Sequence, residues 1–236
     1  MQDDINTIFQ STAKSLGSNY FGIADLNPAK EFIEAQGGTF LAEYPVALTA
    51  GIDLPDSLAN ILSEYKDDTG EMLYHHYYDV INRELDRIAL HLAISLQKKG
   101  YKALPIPASL RTDTIRIYGL FSHKLAAYLA GMGWIGKSCL LVTPEHGPRV
   151  RWVTVLTNAP LLPTRKPLES RCGECRECVE NCPAQAFTGR IFHKEEPREA
   201  RFDAAACDRL IASRRVKSGV EVCGNCVWVC PFGKKK

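Results

Sequence analysis

The sequence predicts an α+β protein, with an α/β-type body over residues 1–160 and a small cysteine-rich domain over residues 161–236. Helical and strand-like patterns are mixed in the first part of the chain, which favours a layered body of helices and sheet. Eight of the nine cysteines lie after residue 170, and only Cys139 precedes them. Between the two parts runs "NAPLLPTRKPLES", residues 158–170, whose three prolines are typical of a linker.

The first half of the body alternates between the two kinds of pattern. Residues 4–16 carry apolar side chains at helical spacing and precede a glycine, so they predict a helix. The apolar runs "YFGIAD" at 20–25 and "YPVALTAGIDLP" at 44–55 predict strands. A long helix is predicted over 73–99, because six apolar side chains share one face: Tyr77, Ile81, Leu85, Ile88, Leu92 and Leu96.

The second half of the body continues the mixture. "YKALPIP" is strand-like, and "FSHKLAAYLA" at 121–130 predicts a helix. "CLLVTP" at 139–144 and "RVRWVTVLT" at 149–157 predict two strands joined by the turn "PEHG".

Composition excludes several classes of protein. The 236 residues are 45% apolar and 24% charged, which is ordinary for a globular protein, and the net charge of +2 favours neither nucleic acid nor membrane as a general partner. The first residues are acidic where an export signal would be basic, and no run approaches the length of a membrane span. The sequence therefore predicts a cytoplasmic location.

The cysteine-rich domain has the spacing of an iron–sulfur protein. "CGECRECVENCP" repeats the C-x2-C-x2-C-x3-C-P run of bacterial ferredoxins, and a second set ends in "CGNCVWVCP". In two-cluster proteins the fourth cysteine of a run ligates the other cluster. One predicted 4Fe–4S cluster is therefore bound by Cys172, Cys175, Cys178 and Cys230, and the other by Cys182, Cys207, Cys223 and Cys226.

Other uses of these cysteines fit less well. Zinc ribbons use paired C-x2-C knuckles, not a triplet with a trailing C-P, and disulfides suit small exported chains. Cys139 lies in the apolar run "CLLV", which favours a buried inert thiol over a redox or ligand role.

The stretch "GMGWIGKS", residues 131–138, matches the phosphate-binding pattern G-x-x-x-x-G-K-[ST]. That motif works after a strand and before a helix, whereas here it follows a predicted helix and precedes a predicted strand. Gly131 and Gly133 fit better as helix-ending residues with positive φ. Nucleotide binding is therefore disfavoured.

A longer stretch carries a family resemblance. "SHKLAAYLAGMGWIGKSCLLVTPEHGPRV", followed by a linker and the two cysteine runs, resembles the epoxyqueuosine reductases and the related reductive dehalogenases. The resemblance implies a nitroreductase-like, cobalamin-binding body and two 4Fe–4S clusters. It also implies that Gly133, Trp134, Ile135, Gly136 and Lys137 lie against the corrin, with Ser138 beside them. Full-length members continue into a C-terminal helical-repeat region that helps to hold tRNA, and "CPFGKKK" does not begin one.

The resemblance also points to residues for proton transfer. The best match to the family's catalytic aspartate is Asp113 in "SLRTDTIRIYG". Tyr118 could donate the proton if Asp113 points outward. Alternatively, Asp113 is only a solvated loop residue. Apolar neighbours would raise the pKa of Asp113, as a general acid needs. His123 could contact the cofactor, or simply lie on a helix surface.

The predicted function is a cobalamin-dependent reductase fed through two 4Fe–4S clusters, because cob(I)alamin needs low-potential electrons while the protein binds and orients the cofactor. A ferredoxin or flavodoxin would donate the electrons, and the substrate would be a small molecule or a corrinoid protein rather than tRNA. The alternative is an electron-transfer protein that docks a partner enzyme and has no catalytic site. A flavin in the body is a further option.

Overall fold

The computed structural model describes residues 2–65 and 67–234. Contacts within the chain divide it into two compact units. Unit 1 consists of the chain up to Ile52, Ile81–Gly133 and Arg151–Leu168, and unit 2 of Asp53–Val80, Trp134–Val150 and the chain from Glu169 onward. The predicted division between residues 160 and 161 stays a prediction; the structure groups two earlier segments with the cysteine-rich part.

Unit 1 is built on a four-stranded sheet. Its strands are β1 (Tyr20–Asp25), β2 (Val46–Asp53), β3 (Ala103–Ile106) and β6 (Val150–Thr157), in the order β1-β2-β6-β3. β1 pairs antiparallel with β2, and β3 with β6. The mixture of helices with this sheet confirms the predicted helix-and-sheet class, and the described antiparallel pairs place it on the α+β side.

Helices α1 (Gln2–Ser15), α2 (Lys30–Gly37) and α5 (His123–Leu129), with the second part of α4 (Thr69–Lys98), complete unit 1. Their apolar faces supply most of its core. Fully buried side chains there include Phe9, Ile23, Leu48, Leu85, Ile88, Leu92 and Leu156. The sequence predicted α1, α4 and α5 from the same periodicity.

The predicted linker is fixed to unit 1 instead of running free. The backbone amide of Thr164 donates to the Ile23 carbonyl at 3.0 Å, and its hydroxyl donates to the Ala130 carbonyl at 3.1 Å. Asn6 also donates to the carbonyl of Leu162. A proline-rich composition indicated an irregular segment, but not that its polar groups bond to β1.

Unit 2 contains short elements around the cysteines. They are α3 (Asp56–Glu64), the first part of α4, the hairpin of β4 (Trp134–Ile135) and β5 (Leu141–Val142), α6 (Glu177–Glu180), α7 (Ala204–Ser218) and α8 (Asn225–Trp228). The predicted strands at 139–144 and 149–157 are present in part, but β5 pairs with β4 and β6 joins the larger sheet. Gly131 has the predicted positive φ of 73°, whereas Gly133 is not among the positive-φ residues, so that part of the prediction was wrong.

Over residues 2–65 and 67–234, every helix is too short or too polar to cross a membrane. The predicted cytoplasmic location stays a prediction.

Candidate metal-cluster site

Four cysteines from both ends of the cysteine-rich sequence surround one cavity in unit 2: Cys172, Cys175, Cys178 and Cys230. The amide of Cys175 donates to the Cys172 carbonyl at 2.9 Å, closing a tight turn through Gly173, whose φ is +46°. The cavity is also lined by Gly136, Lys137, Ser138, Val142, Glu177, Pro231 and Phe232. The last cysteine of the second run thus joins the first three of the first run, as crossed ligation requires.

The other four cysteines form a second group. Cys182 follows α6, Cys207 lies in α7, Cys223 precedes α8 and Cys226 lies within it. Burial, and then the neighbouring thiolates of Cys223 and Cys182, raise the pKa of Cys207 to about 11. Burial raises the pKa of Cys226 as well, and the other three members and Cys178 of the first group add to the rise. The four thiols thus share one electrostatic environment, as neighbouring ligands do.

The thiols of the first group are perturbed in the same way. Burial, followed by repulsion from Cys172 and Cys175, raises the pKa of Cys178 to about 11. Burial and the same neighbours raise the pKa of Cys230 to about 12. These thiols stay protonated at neutral pH unless a metal displaces the protons, so they fit ligands that ionise on binding a positively charged cluster.

No disulfide joins any of the nine cysteines in this structure. Within the described residues, no group of three Cys, His, Asp or Glu side chains is arranged to hold a single metal ion. The preference for iron–sulfur clusters over zinc and disulfides rests on the spacing of the cysteines. The ligand sets themselves stay a prediction.

The "GWIGKS" stretch forms the hairpin next to the first group. The amide of Gly136 donates to the Leu140 carbonyl at 2.8 Å and ends β4 in a tight turn. A Cβ on Gly136 would lie 2.8 Å from Val142 Cγ2 and 3.6 Å from Cys172 Sγ. Glycine therefore allows the backbone to approach the cysteine. No helix follows, so the stretch lacks the architecture of a phosphate-binding loop.

Lys137 turns inward from this hairpin. Its Nζ donates to the carbonyl of Gly173 at 2.6 Å and to that of Cys175 at 3.1 Å, and only 8% of the residue is exposed. Both acceptors belong to the loop that carries the first cysteines. The predicted contact of Lys137 with a corrin stays a prediction, but its contact with this loop adds a role that the sequence did not indicate.

Trp134 and Ile135 are the buried residues of β4. The Trp134 ring meets Phe232 edge-on at 4.9 Å, and the guanidinium of Arg171 lies 5.6 Å from its centroid. Trp134 Nε1 is buried, and no acceptor for it lies within the described residues. Because buried donors are normally hydrogen-bonded, this N–H favours an acceptor on a bound non-protein molecule.

The second group has its own charged neighbours. Arg214 and Glu71 form an ion pair at 2.6 Å, and each side chain is about one-fifth exposed, at 20% and 19%. Arg214 lies two turns after Cys207 on α7, and its charge opposes the rise in pKa of that thiol. The i, i+7 spacing could have revealed Arg214, but nothing in the sequence pointed to Glu71.

Cys139 is not among the residues that line the cavity of the first group. It is 4% exposed, and Nη1 of the buried Arg201 lies 3.8 Å from its sulfur. Its burial agrees with the predicted structural thiol. Its φ of +55° is uncommon for a residue other than glycine and reflects the tight hairpin turn.

His123 is held by protein groups at both ring nitrogens. Nε2 lies 3.0 Å from the Pro107 carbonyl and Nδ1 lies 2.9 Å from the Thr154 hydroxyl. A carbonyl can only accept, so Nε2 carries the proton and Nδ1 accepts from Thr154. Burial lowers the pKa of His123 to about 4, so the ring is neutral. The predicted cofactor contact stays a prediction, with neither nitrogen available for it here.

Asp113 closes its own turn. Its Oδ1 accepts from the amides of Ile115 and Arg116 at 3.0 and 2.7 Å, and its Oδ2 accepts from Arg116 Nε at 2.8 Å. These bonds, the Arg116 amide first, lower the pKa of Asp113. The expectation that apolar neighbours raise this pKa was therefore wrong for this conformation, because Ile115 is 91% exposed and the carboxylate bonds to donors instead.

Tyr118, the substitute donor, pairs with Asp113 through the backbone. Its amide donates to the Asp113 carbonyl at 3.2 Å, and the Asp113 amide donates to the Tyr118 carbonyl at 3.0 Å. The guanidinium of Arg116 lies 4.8 Å from the Tyr118 ring. The structure thus brings both candidates for proton transfer into one turn, and their catalytic roles stay predictions.

Comparison with known proteins agrees with the cysteine pattern. Residues 171–233 match the family described as "4Fe-4S double cluster binding domain". An epoxyqueuosine reductase of Bacillus cereus is 32% identical over 168 residues, which cover 67% of this chain and 39% of that protein. The chain therefore spans about two fifths of the length of this relative.

Solved structures share the fold. A reductive dehalogenase, whose structure suggests a mechanism for B12-dependent dehalogenation, superposes with a TM-score of 0.69 at 20% identity, and the match covers 96% of this chain and 31% of that protein. An epoxyqueuosine reductase solved with a tRNA stem loop gives 0.63 at 21% identity, covering 99% and 66%. The predicted resemblance is confirmed: the chain is a homologue of the epoxyqueuosine reductases, has the fold that they share with reductive dehalogenases, and contains a 4Fe–4S double cluster domain.

Proposed function

We propose that this protein is an iron–sulfur reductase in which two 4Fe–4S clusters pass low-potential electrons to a cobalamin bound by the N-terminal body. The observation that carries the proposal is the cavity that Cys230 of the second run lines together with Cys172, Cys175 and Cys178 of the first run. Two clusters in one small domain form a path for single electrons, and the homology to epoxyqueuosine reductases favours a reductase at its end.

We propose further that the body is nitroreductase-like and binds the cobalamin, as the resemblance to the epoxyqueuosine reductases implies. Bound cobalamin would supply a strongly reducing and nucleophilic cobalt centre. Among residues 133–138 we propose that Trp134 contributes to its binding, because the indole N–H is buried without a protein acceptor. We do not assign His123 to it, since both of its ring nitrogens already bond to the protein.

Partners follow from the chemistry. We infer that a ferredoxin or flavodoxin supplies the electrons, because both deliver them singly at low potential. The related reductase was solved with a tRNA stem loop, but a net charge of +2 supports no broad phosphate-binding surface here. We therefore propose a small-molecule or corrinoid substrate, with tRNA as the competing substrate in the same assay.

Two measurements on anaerobically purified protein test this function. Iron and sulfide analysis should give about eight of each per chain. Titration with hydroxocobalamin, followed by the visible spectrum, should then show saturable binding with a dissociation constant in the micromolar range or below.

The results separate the alternatives. Colourless protein holding two zinc ions would contradict the cluster assignment. Intact clusters with no cobalamin binding at millimolar concentration, which corresponds to at most about −4 kcal/mol, would favour the electron-transfer protein. A yellow protein that releases flavin on denaturation would favour the flavin alternative.

A further inference from the structure

The two cysteine groups have differently charged surroundings. Lys137 lies beside the first group, where its ammonium bonds to two backbone carbonyls of the cysteine loop. Among the described residues, no carboxylate lies within 4 Å of this ammonium. Glu177 also lines the cavity, but it is exposed, so solvent screens its charge more than that of the buried Lys137.

The charge of Lys137 reaches the sulfurs. Lys137 lines the same cavity as Cys172, Cys175, Cys178 and Cys230, and its ammonium bonds to the carbonyl of Cys175 at 3.1 Å. A buried cation placed there stabilises negative charge on a cluster that these sulfurs hold, because the attraction is Coulombic.

At the second group the cation is neutralised. Arg214 is paired with Glu71 at 2.6 Å. Arg214 lies two turns after Cys207 on α7, and Asp208 directly follows Cys207 in the same helix. The charged side chains that the structure places beside the second group therefore give no net positive charge comparable to that of Lys137.

We propose that Lys137 raises the reduction potential of the cluster held by Cys172, Cys175, Cys178 and Cys230 above that of the other cluster, and so orders electron flow toward it. Reduction adds one negative charge to a cluster, and a buried ammonium stabilises the reduced form. Electrons then enter at the group of Cys182, Cys207, Cys223 and Cys226. This inference rests on the proposed two-cluster function.

The test is a potentiometric titration of the holoprotein, followed by electron paramagnetic resonance, on wild type, Lys137→Met and Lys137→Arg. Wild type should give two reduction waves of unequal potential. In Lys137→Met the reduction potential of the upper wave should fall. At a fixed applied potential the ratio of reduced to oxidised cluster should change at least tenfold, which corresponds to a fall of about 59 mV for one electron. Lys137→Arg, which keeps the charge, should stay close to wild type.

Glu71→Gln is the matched variant at the other group. Removing the counter-charge of Arg214 should raise the lower wave and leave the upper wave in place. Should Lys137→Met fail to assemble its cluster, Lys137→Gln, which removes the charge and keeps a donor for the two carbonyls, takes its place in the titration. Unshifted waves in both variants with eight iron retained, or a shift of the lower wave in Lys137→Met, would overturn the charge assignment. Wild type without two clusters would instead overturn the proposed function.

Discussion

At the scale of single residues, His123 shows how a polar side chain can be structural near a predicted cofactor site. Its neutral ring joins Pro107 to Thr154, and burial lowers its pKa from 6.5 to about 4. The unfolded chain binds a proton near pH 6.5, whereas the folded protein does so only near pH 4. Stability from His123 is therefore complete above pH 6.5 and is lost as the pH falls toward 4.

His123→Gln should remove this pH dependence, because glutamine can keep one donor and one acceptor but does not titrate. Between pH 7.5 and 5 we expect the wild-type free energy of unfolding to fall by about 2 kcal/mol more than that of the variant. Denaturant unfolding of both proteins at each pH measures the difference in free energy of unfolding. Acid sensitivity of the clusters affects both proteins equally, so it drops out of this difference. Equal slopes for both proteins would mean that His123 is already charged in the folded state.

Asp113 is the residue where sequence and structure differ most. A proton donor must be protonated, but here the turn and Arg116 lower the pKa of Asp113. If Asp113 is the general acid of the proposed reductase, Asp113→Asn should keep both clusters and slow turnover by roughly 10²–10⁴-fold.

Arg116→Gln supplies the pH test for Asp113. Removing the guanidinium should raise the pKa of Asp113. Activity that depends on the protonated acid is lost as the pH rises through this pKa, so the loss should move to higher pH. If Asp113→Asn turns over at the wild-type rate, Asp113 has only a structural role in its turn, and Tyr118 or water donates the proton.

At the scale of elements, the turn between β5 and β6 fixes the chain beyond Cys230. Gly147 has a φ of +56°, and a Cβ there would overlap the carbonyl oxygen of Phe232. Gly219, which ends α7, has a φ of +73° but open space around its Cβ position. A side chain at either glycine would strain the backbone because of the positive φ. Only at Gly147 would it also collide with a neighbouring backbone, that of Phe232.

Gly147→Ala should therefore cost more than Gly219→Ala. The control should lose about 1 kcal/mol, the usual cost of a left-handed conformation for an L-residue. Gly147→Ala should lose clearly more, and its iron content should fall because Phe232 lies two residues after Cys230. Thermal unfolding and iron analysis measure both effects. Equal losses would show that the backbone at Phe232 simply moves aside.

Much of the architecture could be predicted from local patterns. The periodicity of α4 and the apolar run of β1 depend only on neighbouring residues. The cysteine spacing also predicted that Cys230 lies with the first three cysteines of the first run, as it does around the cavity. The pairing of β5 with β4, the bonding of Thr164 to β1 and the inward turn of Lys137 could not be predicted. Each depends on contacts between residues far apart in sequence, for which no local pattern exists.

At the scale of the whole molecule, the predicted exchange of the last members of the two cysteine runs can be tested directly. Cys182→Ser, although it lies in the first run, should remove the cluster built mainly from the second run. Cys230→Ser, in the second run, should remove the cluster beside Lys137. Each variant should retain about four iron, while Cys139→Ser should retain about eight as the control.

The reduction wave that remains identifies the surviving cluster. In Cys182→Ser this wave should still shift when Lys137→Met is added, and in Cys230→Ser it should not. The opposite assignment would mean that each run binds its own cluster, although Cys230 lines the cavity of the first group.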